Sequence, residues 1–172
     1  YKKIVQVLMA VFALAGCTDD WDDHYHATVS ADGNLWEGIE AIPDLSNFAS
    51  VVKAVGYDRA LASSQMFTVF APVNDNFSKE SADELIETYK TEKTRGVRDK
   101  DNSTLKEFVQ NHIALYNYST GTSSNDSIVM LNGKYKLLTA SKFGDDAITK
   151  GNQVYGNGVL YTVAQPAGYV PN

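Results

Sequence analysis

The chain has 172 residues, which is enough for one domain with a hydrophobic core of its own. Hydrophobic residues make up 44% and aromatic residues 11% of it, and this composition excludes a disordered chain. The formal net charge of -6, without a basic stripe, argues against nucleic acid and against electrostatic attraction to anionic lipid. One cysteine excludes an internal disulfide framework.

The first residues have the pattern of a secretion signal. Lys2 and Lys3 precede an apolar run of 11 residues at 4–14, which is within the range of roughly 7–15 for a signal-peptide core. The run is too short to span a membrane, which takes about 20 residues. The sequence Leu-Ala-Gly-Cys that ends at Cys17 resembles the lipobox of bacterial lipoproteins. This resemblance implies cleavage after residue 16 and a lipid on Cys17; the alternative is an ordinary signal peptide with a chance cysteine.

An acidic segment follows the cysteine, and we expect residues 17–34 to be a tether. Asp19, Asp20, Asp22 and Asp23 are too many carboxylates for a core without partners. The cluster is similar to the export signal by which some Gram-negative bacteria send lipoproteins to the outer face of the outer membrane. That similarity implies display on the cell surface. His24 and His26 could bind a metal, but no third strong ligand is near, so we expect none there.

The folded domain is expected to span residues 35–164 and to begin with helices. Leu35, Ile39 and Ile42 have helical spacing, and a second helix is predicted between Pro43 and Gly56. Asp44 or Ser46 would cap that second helix.

A strand is predicted at 67–71, where apolar residues occupy both faces. Pro72 would end it, because proline has no N–H for the sheet. Asn74 would then cap a short helix, and Phe77 would return to the core.

Three motifs in this domain resemble the signature of the fasciclin (FAS1) family. The first is the TVFAP run with its following Asn and Phe, and its residues are Thr68, Val69, Phe70, Ala71, Pro72, Asn74 and Phe77. The second is His112, although Asn111 stands where the family has Tyr. The third is Asn157-Gly158-Val159 at the start of a buried strand. The resemblance implies an α+β fold, a curved antiparallel β-sandwich or wedge with several α-helices packed on the N-terminal side and in the middle.

Further elements are predicted after the charged stretch that ends near residue 102. Thr104 would cap a helix that carries His112 on its buried face, and a strand is predicted at 115–118. Asn132-Gly133 predicts a tight hairpin, and 156–158 predicts a second one. Residues 165–172, with two prolines, are expected to be a linker of the kind that leads to a second domain in a longer chain.

The functional expectation follows from the lipobox and the family resemblance together. It is a surface-anchored, non-catalytic adhesion or binding lipoprotein whose partner is an unknown protein or glycan. The signature residues are expected to be structural, with a possible role in binding. No nucleophile elbow, metal-spaced cluster or phosphate loop is evident, so we expect no enzyme activity, cofactor or metal. The alternative is an accessory lipoprotein of an outer-membrane system for nutrient (glycan) uptake.

Overall fold

The computed structural model describes residues 33–120 and 125–172. The expected signal peptide, Cys17 and most of the acidic tether therefore lie outside the described residues. Within these ranges, no helix has the length and apolarity that a membrane crossing requires.

Five longer helical elements and seven strands make up the described part of the chain. The helices are α1 (Leu35–Glu40), α2 (Ser46–Ala54), α3 (Asp58–Leu61), α4 (Lys79–Thr94) and a π-helix (Thr104–Val109). Short 3₁₀ turns cover Pro43–Leu45, Asn74–Asn76 and Asp99–Asp101. The strands are β1 (Phe67–Pro72), β2 (Ile113–Leu115), β3 (Asn125–Val129), β4 (Tyr135–Thr139), β5 (Lys142–Phe143), β6 (Asp146–Tyr155) and β7 (Gly158–Val163).

The strands form one sheet in the order β2-β1-β7-β6-β5-β4-β3, so the expected α+β fold is confirmed. Neighbouring strands are antiparallel except for β1 and β7, which run parallel from Phe67↔Gly158 to Pro72↔Val163. That parallel pair was not expected from the resemblance. It is possible because residues 73–157 lie between the two strands, and a parallel connection needs a long crossover.

The sheet separates two hydrophobic clusters. Every residue of β1 and of β7 is buried, which confirms that the first strand is covered on both faces. The cluster on the helical side includes Phe48 of α2 and Leu160 of β7. On the other side, the Phe70 ring stacks on Phe143, with centroids 3.9 Å apart, and on Tyr161 at 4.9 Å.

Both predicted hairpins are confirmed. Strands β3 and β4 flank the Asn132-Gly133 turn, in which Gly133 has φ 81° and Met130 N–H donates to the Lys134 carbonyl. Strands β6 and β7 flank the second turn, and β6 begins at Asp146, earlier than the start at Gly151 that the sequence predicts.

The predicted cap at Asn74 is wrong, and so is the predicted cap of α2. Asn74 acts on a distant helix: its Oδ1 accepts from Asn47 N at 3.1 Å in the first turn of α2. Its Nδ2 donates to the Pro43 carbonyl at 3.2 Å and to Ser46 Oγ at 2.9 Å. Neither Asp44 nor Ser46 caps α2. A cap supplied from another segment satisfies the free amide as well as a local one.

The start of the π-helix and the extent of β2 also differ from expectation. Asn102 Oδ1 accepts from Leu105 N at 3.2 Å, whereas Thr104 Oγ1 donates to the Leu85 carbonyl of α4. The strand expected at 115–118 is β2, which ends at Leu115. It ends there because Tyr116 has φ 67°, a left-handed conformation that interrupts an extended chain.

The tightest backbone approach in the domain predicts a severe effect of Gly158→Ala. A Cβ at this position would lie 2.0 Å from the Phe67 carbonyl oxygen and 2.5 Å from Leu35 Cδ1. Strand β1 cannot move away without losing its register, so we expect the free energy of unfolding to fall by about 3 kcal/mol or more. Urea denaturation would measure it. Gly168→Ala is the control, since nothing lies within 4 Å of its added Cβ; equal stability losses in the two variants would contradict the steric explanation.

Candidate binding site

The structure places the first signature inside the sheet. The side chains of Thr68, Val69, Phe70 and Ala71 are fully buried in β1. Thr68 Oγ1 donates to the Tyr116 carbonyl at 2.8 Å and accepts from Tyr118 N at 2.9 Å. This hydroxyl therefore holds the chain that leaves β2, and it is not available to a partner.

The third signature joins two helices to the sheet through the side chain of Asn157. Its Oδ1 accepts from Leu35 N, the first amide of α1, at 2.7 Å. Its Nδ2 donates to the carbonyls of Leu61 and Ser63, each at 2.7 Å, at the end of α3. Val159 follows in β7 and packs in the cluster on the far side of the sheet.

His112 is buried, and both of its ring nitrogens have partners. Nδ1 lies 2.6 Å from the Phe108 carbonyl, which can only accept, so Nδ1 carries the proton. Nε2 accepts from Ala167 N at 2.9 Å. Burial lowers the pKa of His112 to about 4, while the Phe108 carbonyl acts in the opposite direction. The imidazole is thus a neutral bridge between the chain before β2 and the C-terminal tail.

The C-terminal tail, residues 165–172, is bonded to the domain. Asn111 Nδ2 donates to the carbonyls of Ala167 and Gly168, each at 3.2 Å, and Lys136 Nζ donates to the Gly168 carbonyl at 2.7 Å. Ala167 is buried. These contacts extend the folded unit beyond the boundary expected at residue 164.

A groove of about 460 Å³ lies between α4, the π-helix and the C-terminal tail, and we call it the α4 groove. Its apolar lining comes from Phe77, Leu85, Phe108, Pro166 and Tyr169. The rings of Phe77 and Phe108 stack with centroids 5.0 Å apart, at an interplanar angle of 25°. Phe77, the last residue of the first signature, is therefore part of the groove as well as of the core.

The charged residues that line the α4 groove are both acidic, Glu84 and Glu107. A second depression of about 330 Å³ shares Glu84 and continues along α4 past Glu92 to Arg95. The Glu92 carboxylate accepts from Ser103 N at 2.7 Å and from Ser103 Oγ at 2.5 Å, so it fixes the start of the π-helix.

The sequence did not indicate this groove, because its lining residues come from three separated segments. Their only common signal is helical spacing in α4, where Ser81, Glu84, Leu85 and Thr88 share one face. In the ranges 33–120 and 125–172, no three His, Cys, Asp or Glu residues are arranged to hold a metal ion.

Comparisons with known protein families and solved structures agree with the fold described above. A family model described as "Fasciclin domain" matches residues 43–167. Among solved structures, the chain is similar to a FAS1 domain pair from the insect cell adhesion molecule fasciclin I. The TM-score is 0.54 at 15% identity, over 79% of this chain and 51% of that one, so the chain spans about half of the domain pair. No curated protein matches the chain significantly.

The hydrogen bonds of Asn157 predict a large loss of stability in Asn157→Ala. The change leaves the Leu35 amide and the Leu61 carbonyl without their partner in a buried place. We expect the free energy of unfolding to fall by about 2–4 kcal/mol. Denaturation in urea would measure it, with Asn76→Ala as the control, since Asn76 is exposed and makes one bond, to the Ala164 carbonyl. A loss no larger than that of the control would refute the role given to Asn157.

Burial of His112 predicts a stability that depends on pH in a defined window. The folded pKa of about 4 is below the ordinary value of 6.5, so the unfolded state binds more protons between these values. The contribution of His112 is complete above pH 6.5 and declines as pH falls toward 4, by about 3 kcal/mol in total. NMR titration of a His24→Gln/His26→Gln variant, which keeps only this histidine, would give the pKa directly. A titration midpoint of His112 near pH 6.5 in the folded protein would refute this pH dependence.

Proposed function

The chain belongs to the fasciclin domain family, and from this premise we propose that it is a non-catalytic adhesion or binding module, displayed on the cell surface by a lipid on Cys17. Its partner in this proposal is a protein or a glycan outside the cell. The family is associated with cell adhesion or binding, and the similar structure comes from a cell adhesion molecule.

The observation that carries the proposal is that the polar side chains of the signature are engaged inside the domain. His112 has a partner at each ring nitrogen, and both polar atoms of the Asn157 amide are bonded. Acid–base catalysis requires a group that can exchange a proton with a substrate, and a buried neutral bridge is not placed for that. The α4 groove gives the domain a concave, partly apolar surface of the kind that binds partners.

The N-terminal sequence supports the anchor. Leu14-Ala15-Gly16-Cys17 has the lipobox pattern, and lipid chains supply membrane affinity of about 0.8 kcal/mol for each buried CH₂. The first helix begins at Leu35. The residues between Cys17 and Leu35 would reach at most roughly 60 Å when fully extended. That reach is sufficient to hold the domain clear of the lipid headgroups.

Replacement of the cysteine tests the anchor. In the native cell we expect wild type to incorporate labelled fatty acid and to be removed by protease added outside, whereas Cys17→Ala is not acylated and leaves the membrane fraction. A variant in which Asp19, Asp20, Asp22 and Asp23 become Asn separates display from anchoring, since it should stay acylated but become protected from protease. Acylated wild type that resists external protease would overturn surface display.

A binding panel tests the module itself. Cells that display wild type should adhere to at least one immobilised extracellular protein or glycan, and Cys17→Ala cells should not. If displayed wild type binds no member of a panel of matrix proteins and polysaccharides, the adhesion function is wrong.

A further inference from the structure

We propose that the α4 groove binds an extended peptide segment of a partner protein, and that this segment places a lysine or arginine beside apolar side chains. The inference rests on the proposed binding function and adds the site and the chemistry of the partner. Its basis is a combination of an apolar floor and carboxylates that have no partner within the described ranges.

The floor of the groove supplies apolar contact. Phe77 and Phe108 are 3% and 7% exposed, so only a small part of each residue is open to solvent. Leu85 is partly buried against the same cluster, and Pro166 and Tyr169 stand on the opposite wall. An apolar side chain placed here loses contact with water and gains contact with rings already fixed by packing.

The carboxylates at the rim select the charge of the occupant. Three other acids in this region are held in ion pairs, which are Lys79–Asp83, Lys93–Asp99 and Arg98–Asp101. Glu80 and Glu87 of α4 make no ion pair within the described residues, but they do not line the groove. In residues 33–120 and 125–172, Glu84 and Glu107 form no such pair, and both are exposed. They would attract a cation beside the apolar floor, and the net charge of -6 would add to that attraction.

The hydroxyl groups of the groove favour a peptide over a sugar. Ser81 Oγ is bonded to Ser78, Ser103 Oγ to Glu92, and Thr104 Oγ1 to the Leu85 carbonyl. A sugar presents many hydroxyls and needs a matching set of free polar groups, since an unpaired polar group is costly to bury. Of the five hydroxyl groups that line the groove, only those of Thr88 and Tyr169 make no hydrogen bond within the described residues. The groove therefore has few free hydroxyls for a sugar, and it offers a partner mainly apolar contact and charge.

The wall formed by the tail is fixed before any partner arrives. Asn111 and Lys136 donate to its carbonyls, and His112 accepts from its Ala167 amide. A preformed groove avoids the entropy cost of ordering a loop on binding. Because none of these hydrogen bonds involves Glu84 or Glu107, replacing those two residues can change binding while the tail keeps its position.

Two groove variants and one charge-matched control test the proposal. Glu84→Gln/Glu107→Gln removes the rim charge, and Thr88→Arg places a cation and added bulk in the groove. Glu40→Gln/Asp44→Asn removes the same charge from exposed positions that do not line the groove. The probe is a fluorescent twelve-residue peptide in which Lys or Arg alternates with Leu and Phe. Its counterparts carry Glu for the cations, or Ser for the apolar residues.

Fluorescence anisotropy should show binding of the cationic apolar probe to wild type and to the control, and no binding of the two counterparts. Loss of two exposed ion pairs should weaken binding about two- to thirtyfold. Thr88→Arg should abolish it. All variants should unfold at the urea concentration of wild type, which excludes misfolding as the cause.

Three results would overturn the inference: no binding of the probe to wild type, equal weakening in the control, or groove variants that lose a neutral glycan instead of the peptide. The adhesion panel distinguishes this failure from failure of the proposed function. If the displayed groove variants adhere as wild type does, the partner binds elsewhere and the adhesion function stands. If wild type itself adheres to no member of the panel, the proposed adhesion function is wrong, whatever the groove variants do.

Discussion

The fold depends on the contact between the turn at Asn157-Gly158 and the start of β1. The Asn157 carbonyl accepts from Phe67 N at 3.1 Å, and Gly158 lies so close to the Phe67 carbonyl that a side chain has no room. The Asn157 side chain holds the first amide of α1 through Leu35 and the end of α3 through Leu61. One turn therefore fixes the register of the central parallel pair and the position of two helices against it, which explains why the motif is an Asn followed by a Gly.

That register determines which side chains enter each core. In β1 and β7, Val69 and Leu160 point to the helical side, while Phe70 and Tyr161 point to the opposite cluster. A shift by one residue would exchange the two sets, because successive side chains of a strand face opposite ways. The two cores differ in shape: one is filled by helices, and the other by a stack of rings around Phe70. The exchange would therefore leave both cores badly packed. Because of this cost, the packing strongly specifies the register of β1 and β7.

The sequence predicts what is local and misses what joins distant segments. The strand predicted at 67–71, which the structure extends to Pro72, and the Asn132-Gly133 turn follow from alternation and turn chemistry. Both signals act over a few residues. Asn74 was expected to cap its own helix, yet it holds the first turn of α2, because an amide side chain satisfies a distant N–H as well as a near one. The α4 groove was missed for the same reason, since α4, the π-helix and the tail meet only in the folded chain.

The buried polar residues of the domain stabilise the fold, whereas a different set of exposed polar residues would select the partner. The polar atoms of the signature residues Thr68, His112 and Asn157 hydrogen-bond to other segments of the domain. They are therefore not free to bind a partner. The acids that would select a partner, Glu84 and Glu107, lie outside the signature on α4 and the π-helix. Their replacement leaves the central register untouched, because no bond of the turn at Asn157-Gly158 involves them. The same fold can accordingly present different rims to different partners, and family membership alone does not name a ligand.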